Sequence, residues 1–166
     1  DFAADFDLPY MLIDWEWDAM GNGGNSRGYD NPEPVVFEFS KLGFLDNKGN
    51  LREELMTTEA ENIAKSFERV STAQLRAFFN EVKALKNRLE NNDNNEHFER
   101  IYPFILMIKS KVQYRIAKDK KLEPLKNFLY AGIEEIQKQN KVGKGKEAFE
   151  NFAIFFETIV GYAYKG

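Results

Sequence analysis

The sequence predicts an all-α protein: a bundle of about five helices with an irregular, acidic N-terminal extension. Three observations carry this expectation. From Leu51 onward, apolar residues recur at three- and four-residue spacing, the period of a helix buried along one face. Hydrophobic residues make up 43% of the 166, and 15 of them are phenylalanine, enough for one packed core. The charge is also divided along the chain. Residues 1–34 hold eight acids and one base, net −7, whereas the remainder holds 22 bases against 19 acids, net +3.

Residues 1–50 read as an acidic, partly extended segment, and 51–166 as the helical domain. Within the first part, Gly21–Ser26 is a flexible joint, and Pro32 and Pro34 oppose helix. Val35–Phe39 is either a short strand or an extended apolar anchor. The first helix spans Leu51–Arg69, with Leu55, Ile63 and Phe67 on one side. The second spans Thr72–Glu90, with Ser71 or Thr72 as its N-cap. Its apolar stripe is Leu75, Phe78, Val82, Leu85 and Leu89, and the Asn-rich turn 91–95 ends it.

The third helix spans Glu96–Asp119, with a regular stripe of Phe98, Ile101, Ile105, Ile108, Val112 and Ile116. Pro103 lies in its second turn and asks for a shifted start or a kink. Pro124 suits the first turn of a fourth helix, Glu123–Gln139, whose inward residues are Leu125, Phe128, Leu129, Ile133 and Ile136. A basic turn, 141–146, leads into a fifth helix, Lys146–Tyr164, with Phe149, Phe152, Phe155, Phe156 and Ile159 inward. Amphipathic helices joined by short turns pack as a bundle.

Composition excludes several chemistries. The chain has no cysteine, so disulfides, thiolate metal sites and cysteine nucleophiles are ruled out. A single histidine, His97, cannot build a His-rich zinc site, and nothing near it in the sequence marks it as a base. Glu134 and Glu135 are adjacent on a helix, so their side chains diverge and cannot act as a hydrolytic pair. Gly21–Gly24 lacks the lysine and following helix of a phosphate loop. No apolar run approaches the ~20 residues a membrane span needs. The start is acidic, unlike a signal peptide. The expectation is a cytoplasmic, non-catalytic protein with no cofactor and no membrane partner.

Two basic faces remain. On the second helix, Thr72, Arg76, Asn80, Lys83 and Asn87 are spaced to share one side, apart from the apolar stripe. From Lys109 to Lys121, six of thirteen residues are basic and Asp119 is the one acid. Lys111, Arg115 and Lys118 flank the third helix's stripe on one side, and Lys109 flanks it on the other. Lys120 and Lys121 stand at the helix end, where cations also offset the dipole. Tyr114 is able to stack on a base or to fill a half-buried site. If the two faces adjoin they form one basic groove, which would hold a nucleic-acid backbone without reading sequence. The plainer alternative is a pair of solvated faces. Asp14–Asp18, which alternates acids with Trp15 and Trp17, is either a docking element for a basic neighbour or a local packing anchor.

At these residues the chain resembles the small subunit of the type III-A CRISPR–Cas effector, the Csm complex. Three stretches carry the likeness: Val70–Arg76, a helix start ending in Gln-Leu-Arg; Lys109–Tyr114, a basic segment closing on tyrosine; and Phe155–Tyr162, a closing aromatic helix. The likeness covers about Leu51 to Lys165. Ala73 stands where that family often has a hydroxyl residue, and residues 1–34 have no counterpart in it.

The resemblance implies a structural, non-catalytic subunit. It implies copies of the chain stacked head to tail, other effector subunits as partners, and the backbones of guide RNA and target RNA as ligands. Arg76, Lys111 and Tyr114 match by position; Lys83, Lys109, Arg115 and Lys118 are added by helical geometry as RNA-binding candidates. Without RNA, the same faces would suit a helical protein–protein adaptor. Phe79, Tyr130 and Phe155 are candidate apolar contacts between copies.

Overall fold

The computed structural model describes residues 37–91 and 95–164, the side chains of 95 and 96 excepted. The acidic segment 1–34, with its glycine joint and Asp14–Asp18, lies outside them. Among the described residues seven α-helices follow in order: α1 (Glu38–Leu42), α2 (Glu53–Met56), α3 (Thr58–Ser66), α4 (Thr72–Asn91), α5 (Asn95–Ile116), α6 (Glu123–Asn140) and α7 (Gly145–Ala163). A 3-10 turn at Lys120–Leu122 leads into α6. Among the described residues there is no strand, only an isolated bridge between Leu45 and Leu51.

The four long helices close into a ring: α4 packs on α5, α5 on α6, α6 on α7, and α7 back on α4. Neighbours are antiparallel. Moving along α4 from Arg76 to Lys83, the partners on α7 run backward from Tyr164 to Glu157. Short connections enforce this up-and-down order. α3 lies against α7 on the outside of the ring.

Local chemistry sets the helix ends. Ser71 is the N-cap of α4: its Oγ accepts the Gln74 N–H at 3.1 Å and its carbonyl accepts the Leu75 N–H at 3.0 Å. The hydroxyl in turn donates to Gln74 Oε1 at 3.0 Å, a relative of the capping box. At the end of α6, Gly143 takes φ 79°, and the Lys144 N–H donates to the Gln139 carbonyl at 2.9 Å. That six-residue closure needs a left-handed position, which glycine occupies without strain. α5 starts at Asn95 and runs through Pro103, so of the shifted start or kink expected from the sequence the shifted start does not occur. Pro103 is exposed, so the carbonyl it leaves unpaired one turn earlier is open to water.

The core is built on phenylalanine. Phe128 on α6 is fully buried and meets six other rings: Phe37, Phe39, Phe67, Phe152, Phe155 and Phe156. α6 and α7 approach closely at Gly132, where an added Cβ would fall 2.2 Å from Cε1 of Phe152. Phe155 is 0% exposed, which removes it from the candidate contacts between copies. Phe79 is partly buried against Phe156, and Tyr130 is partly buried as well.

Of the two readings of Val35–Phe39, a short strand or an apolar anchor, the described residues fit the second: Phe37 is extended, and Glu38 begins α1. The stretch anchors the chain, since Phe37, Phe39 and Phe44 all enter the core. The helix expected over Leu51–Arg69 is two helices broken at Thr57, whose φ −127° and ψ −95° lie outside the helical basin. Thr57 Oγ1 donates to the Glu53 carbonyl at 3.1 Å, a local bond that competes with helix continuation.

A buried ion pair holds α1 against α3. Arg52 and Glu59 are each 8% exposed and meet at 3.2 Å. Glu59 Oε2 also accepts the Phe39 N–H at 2.8 Å, and Arg52 Nε donates to the Gly43 carbonyl at 2.9 Å. Both charges therefore have further hydrogen-bond partners, the condition under which a buried pair is tolerated.

Candidate nucleic-acid interface

The α4 stripe turns Leu75, Phe78, Val82, Leu85 and Leu89 inward. Thr72, Arg76, Asn80, Lys83 and Asn87 are all exposed, as their spacing requires. Within that face, Arg76 and Lys83 lean toward α7. The Arg76 guanidinium lies 5.5 Å from the Tyr164 ring centroid, and Lys83 Nζ is 3.9 Å from Glu157.

The α5 cations go elsewhere. Lys111 closes on Glu81 of α4, with its side chain 11% exposed. Arg115 is 5% exposed, with its guanidinium 5.7 Å from the Phe78 ring centroid. Ala77, Phe78, Glu81, Lys111 and Arg115 line one small cleft along the α4–α5 seam. Lys109 lies on the far side of α5, 3.6 Å from Glu134 of α6 and 4.7 Å from the Tyr130 ring centroid. Tyr114 is 37% exposed, and Lys118 Nζ lies 5.7 Å from its ring centroid.

The two helices adjoin, yet their cations do not form the single groove expected from the sequence. Arg76 and Lys83 flank the α4 stripe on its α7 side, whereas Lys111 and Arg115 meet α4 on the opposite flank. Three candidate lysines also face intramolecular carboxylates: Lys83 with Glu157, Lys109 with Glu134, and Lys111 with Glu81. An exposed pair such as Lys83–Glu157 contributes little to stability, about 0–1 kcal/mol, but all three lower the local positive potential.

A different grouping emerges at one end of the bundle. Gln74 Nε2 of α4 donates to Asp119 Oδ2 at 3.3 Å, which fixes the start of α4 beside the end of α5. Asp119 is 9% exposed, and its Oδ1 accepts the Lys121 N–H at 3.1 Å. The one acid of the basic run is thus turned inward as a cap. At the same end of the bundle stand Arg76, on the α7 flank of α4, and Lys118, Lys120 and Lys121, after α5, all exposed and without an ion pair among the described residues. Lys120 and Lys121 were legible only as dipole partners of a helix end. The long-range Gln74–Asp119 bond puts them at the same end of the bundle as Arg76.

The other candidates stay separate. Glu134 is exposed and Glu135 is 5% exposed, so the two carboxylates point apart. Glu135 accepts from Gln139 at 2.9 Å. Among the described residues, no group of His, Asp or Glu is placed to hold a metal ion, and no helix is long and apolar enough to cross a membrane.

Compared with protein-family models, residues 50–165 match the family described as Csm2 Type III-A. No curated protein and no solved structure matches the chain. The matched span holds α2 to α7 and every candidate RNA-binding residue, and it excludes α1 and the acidic segment. That span is well over half of the chain, and the protein belongs to the Csm2 Type III-A family, the small structural subunits of type III-A Csm effector complexes.

Proposed function

We propose that the chain is a non-catalytic small subunit that holds RNA backbone without reading its sequence, and that it works as one of several stacked copies. The observation that supports this reading is the group of exposed cations at the bundle end, Arg76, Lys118, Lys120 and Lys121, beside an acid that is turned inward. Such a group attracts phosphates and carries no base code. Its few contacts give a single copy weak affinity, and several copies on one strand add theirs. Guide and target RNA are the ligands this places in the effector. Lys83, Lys109 and Lys111 join only where RNA displaces their carboxylates, and Arg115 supports the seam behind them.

The adaptor reading has its own observation. The outer side of α5 exposes Phe104 and Met107, 36% and 38% accessible, a surface suited to another subunit or another copy. The two readings are compatible, with RNA at the bundle end and protein along α5.

The test is binding of a labelled single-stranded RNA by the full chain at rising salt. The expected result is weak, sequence-tolerant binding that falls steeply with salt and drops further in Arg76→Ala and Lys118→Glu. Binding that ignores salt, or variants that bind like the parent, would remove the RNA assignment and leave the adaptor.

A further inference from the structure

Arg100, Pro103, Phe104 and Met107 follow the spacing of one helix face, and all four are exposed on the outside of α5. From α4, the Arg88 guanidinium lies 5.6 Å from the Phe104 ring centroid. Arg88 and Arg100 are exposed, and neither has an ion pair among the described residues. Glu99 is the one acid among the exposed residues from 99 to 116. Across the ring, α3 covers the outside of α7, whereas α5 packs chiefly on α4, α6 and the 3-10 turn. The other exposed large apolar residues are set differently. Ile154 has Glu150 and Glu157 one turn to either side, Leu42 follows Glu38 by one turn, and Leu45 precedes Asp46. Val142 stands alone in the turn before α7, and Tyr162 and Tyr164 lie at the end of that helix. The α5 face thus combines adjoining apolar side chains with two available cations.

We propose that residues 1–20 of this chain dock on the outer face of α5 in the same molecule, with Trp15 and Trp17 over Pro103, Phe104 and Met107 and the neighbouring acids at Arg88 and Arg100. The segment is complementary to the face in both respects. It holds six acids and no base, and it carries both tryptophans of the chain. In an extended chain, residues two apart share a side and stand roughly 7 Å from each other. Pro103 to Met107 covers about 6 Å of helix, so two such rings match the patch in length. Met107 brings a thioether, which packs well against aromatic rings. Asp14, Glu16 and Asp18 alternate with the tryptophans and supply carboxylates for the two arginines. The connection permits it. Phe37 packs on Phe128 of α6, the helix next to α5, and residues 19–36 reach roughly 60 Å when extended, against about 33 Å for the whole of α5. That tether keeps the segment at high local concentration, which favours docking within the molecule over docking on another copy. The face lies toward the end of α4 and the start of α5, away from Arg76 and Asp119, so the RNA reading above does not enter this proposal. It gives the α5 surface an occupant from the chain itself, which another subunit would have to displace.

The experiment uses the full chain, whose tryptophan fluorescence comes from Trp15 and Trp17 alone. Emission of the native chain should be blue-shifted from that of the urea-unfolded chain, and the shift should persist as the protein is diluted. Phe104→Ser with Met107→Ser should move the emission most of the way to the unfolded position. So should Arg88→Glu with Arg100→Glu, which alters exposed charge and leaves the core untouched. Ile154→Ser, exposed on α7, should leave the emission as in the parent. Circular dichroism of all three should match the parent. Native emission at the unfolded position, or a blue shift that neither α5 variant changes, would overturn the docking. A blue shift that fades on dilution would overturn the intramolecular assignment and give the face to the same segment of a second copy.

Discussion

At the α4–α5 seam, Arg115 is 5% exposed against Phe78 and Lys111 is closed on Glu81. Less than a turn beyond Arg115, Lys118 stands in solvent over an exposed tyrosine, and Lys120 and Lys121 follow it. The same residue types, in one run of sequence, thus take two states. Cations at the seam complete the packing between helices; cations at the bundle end keep their charge available. Local charge density does not distinguish them. What does is whether a neighbouring helix buries the side chain, as at Arg115, or supplies a carboxylate to it, as at Lys111.

Substitutions should separate the two regions by what they change. The largest stability effect is expected at the seam: Arg115→Ala removes buried side-chain volume and should lower unfolding stability by about 2 kcal/mol, because long cationic side chains also pack. Urea denaturation measures this, and a loss below about 0.5 kcal/mol, the ordinary surface range, would deny Arg115 its packing role. Ser71→Ala comes next. It removes the α4 cap and should cost about 1 kcal/mol while loosening the Gln74–Asp119 tie, a change visible as faster amide exchange at the start of α4. An unchanged exchange pattern would mean the cap does not set that end of the bundle.

Lys118→Ala belongs to the other class. Thermal unfolding should stay within about 0.5 kcal/mol of the parent, while RNA affinity falls and its salt dependence shallows by roughly one phosphate contact. The smallest effect is expected for Lys83→Ala, which removes a weak, exposed pair at 3.9 Å and should leave both stability and RNA affinity close to the parent. A large affinity loss there would move the interface from the bundle end onto the α4–α7 flank.

The limits of the sequence follow from the same contrast. Four long helices were legible to within three residues, the largest miss being the end of α5 at Ile116 rather than Asp119, because each carries an apolar stripe of its own and periodicity is a local signal. α1 was not legible. It is a single turn whose hold on the fold comes from Glu59, twenty residues away, accepting the Phe39 N–H, and from Arg52 reaching the Gly43 carbonyl. The break at Thr57 was hidden for a related reason, since a threonine side-chain bond to the backbone leaves no trace in the spacing of Leu55 and Ile63. In the candidate site, spacing correctly put Arg76 and Lys83 on an exposed face. It could not show that Glu157, Glu134 and Glu81, all on other helices, stand opposite Lys83, Lys109 and Lys111. Nor could it show that Asp119, the acid of the basic run, is turned inward to accept from Gln74, forty-five residues away.

The most direct test is the salt dependence of single-stranded RNA binding in two double variants, Arg76→Ala with Lys118→Ala and Lys83→Ala with Lys109→Ala. Four cations on a single strand predict a slope of log affinity against log salt of about −3, near 0.7 for each phosphate neutralised. The bundle-end pair should reduce that slope by roughly half. The flank pair should leave it unchanged. Equal slopes in the two variants, or a larger loss in the flank pair, would contradict the placement of RNA at the bundle end.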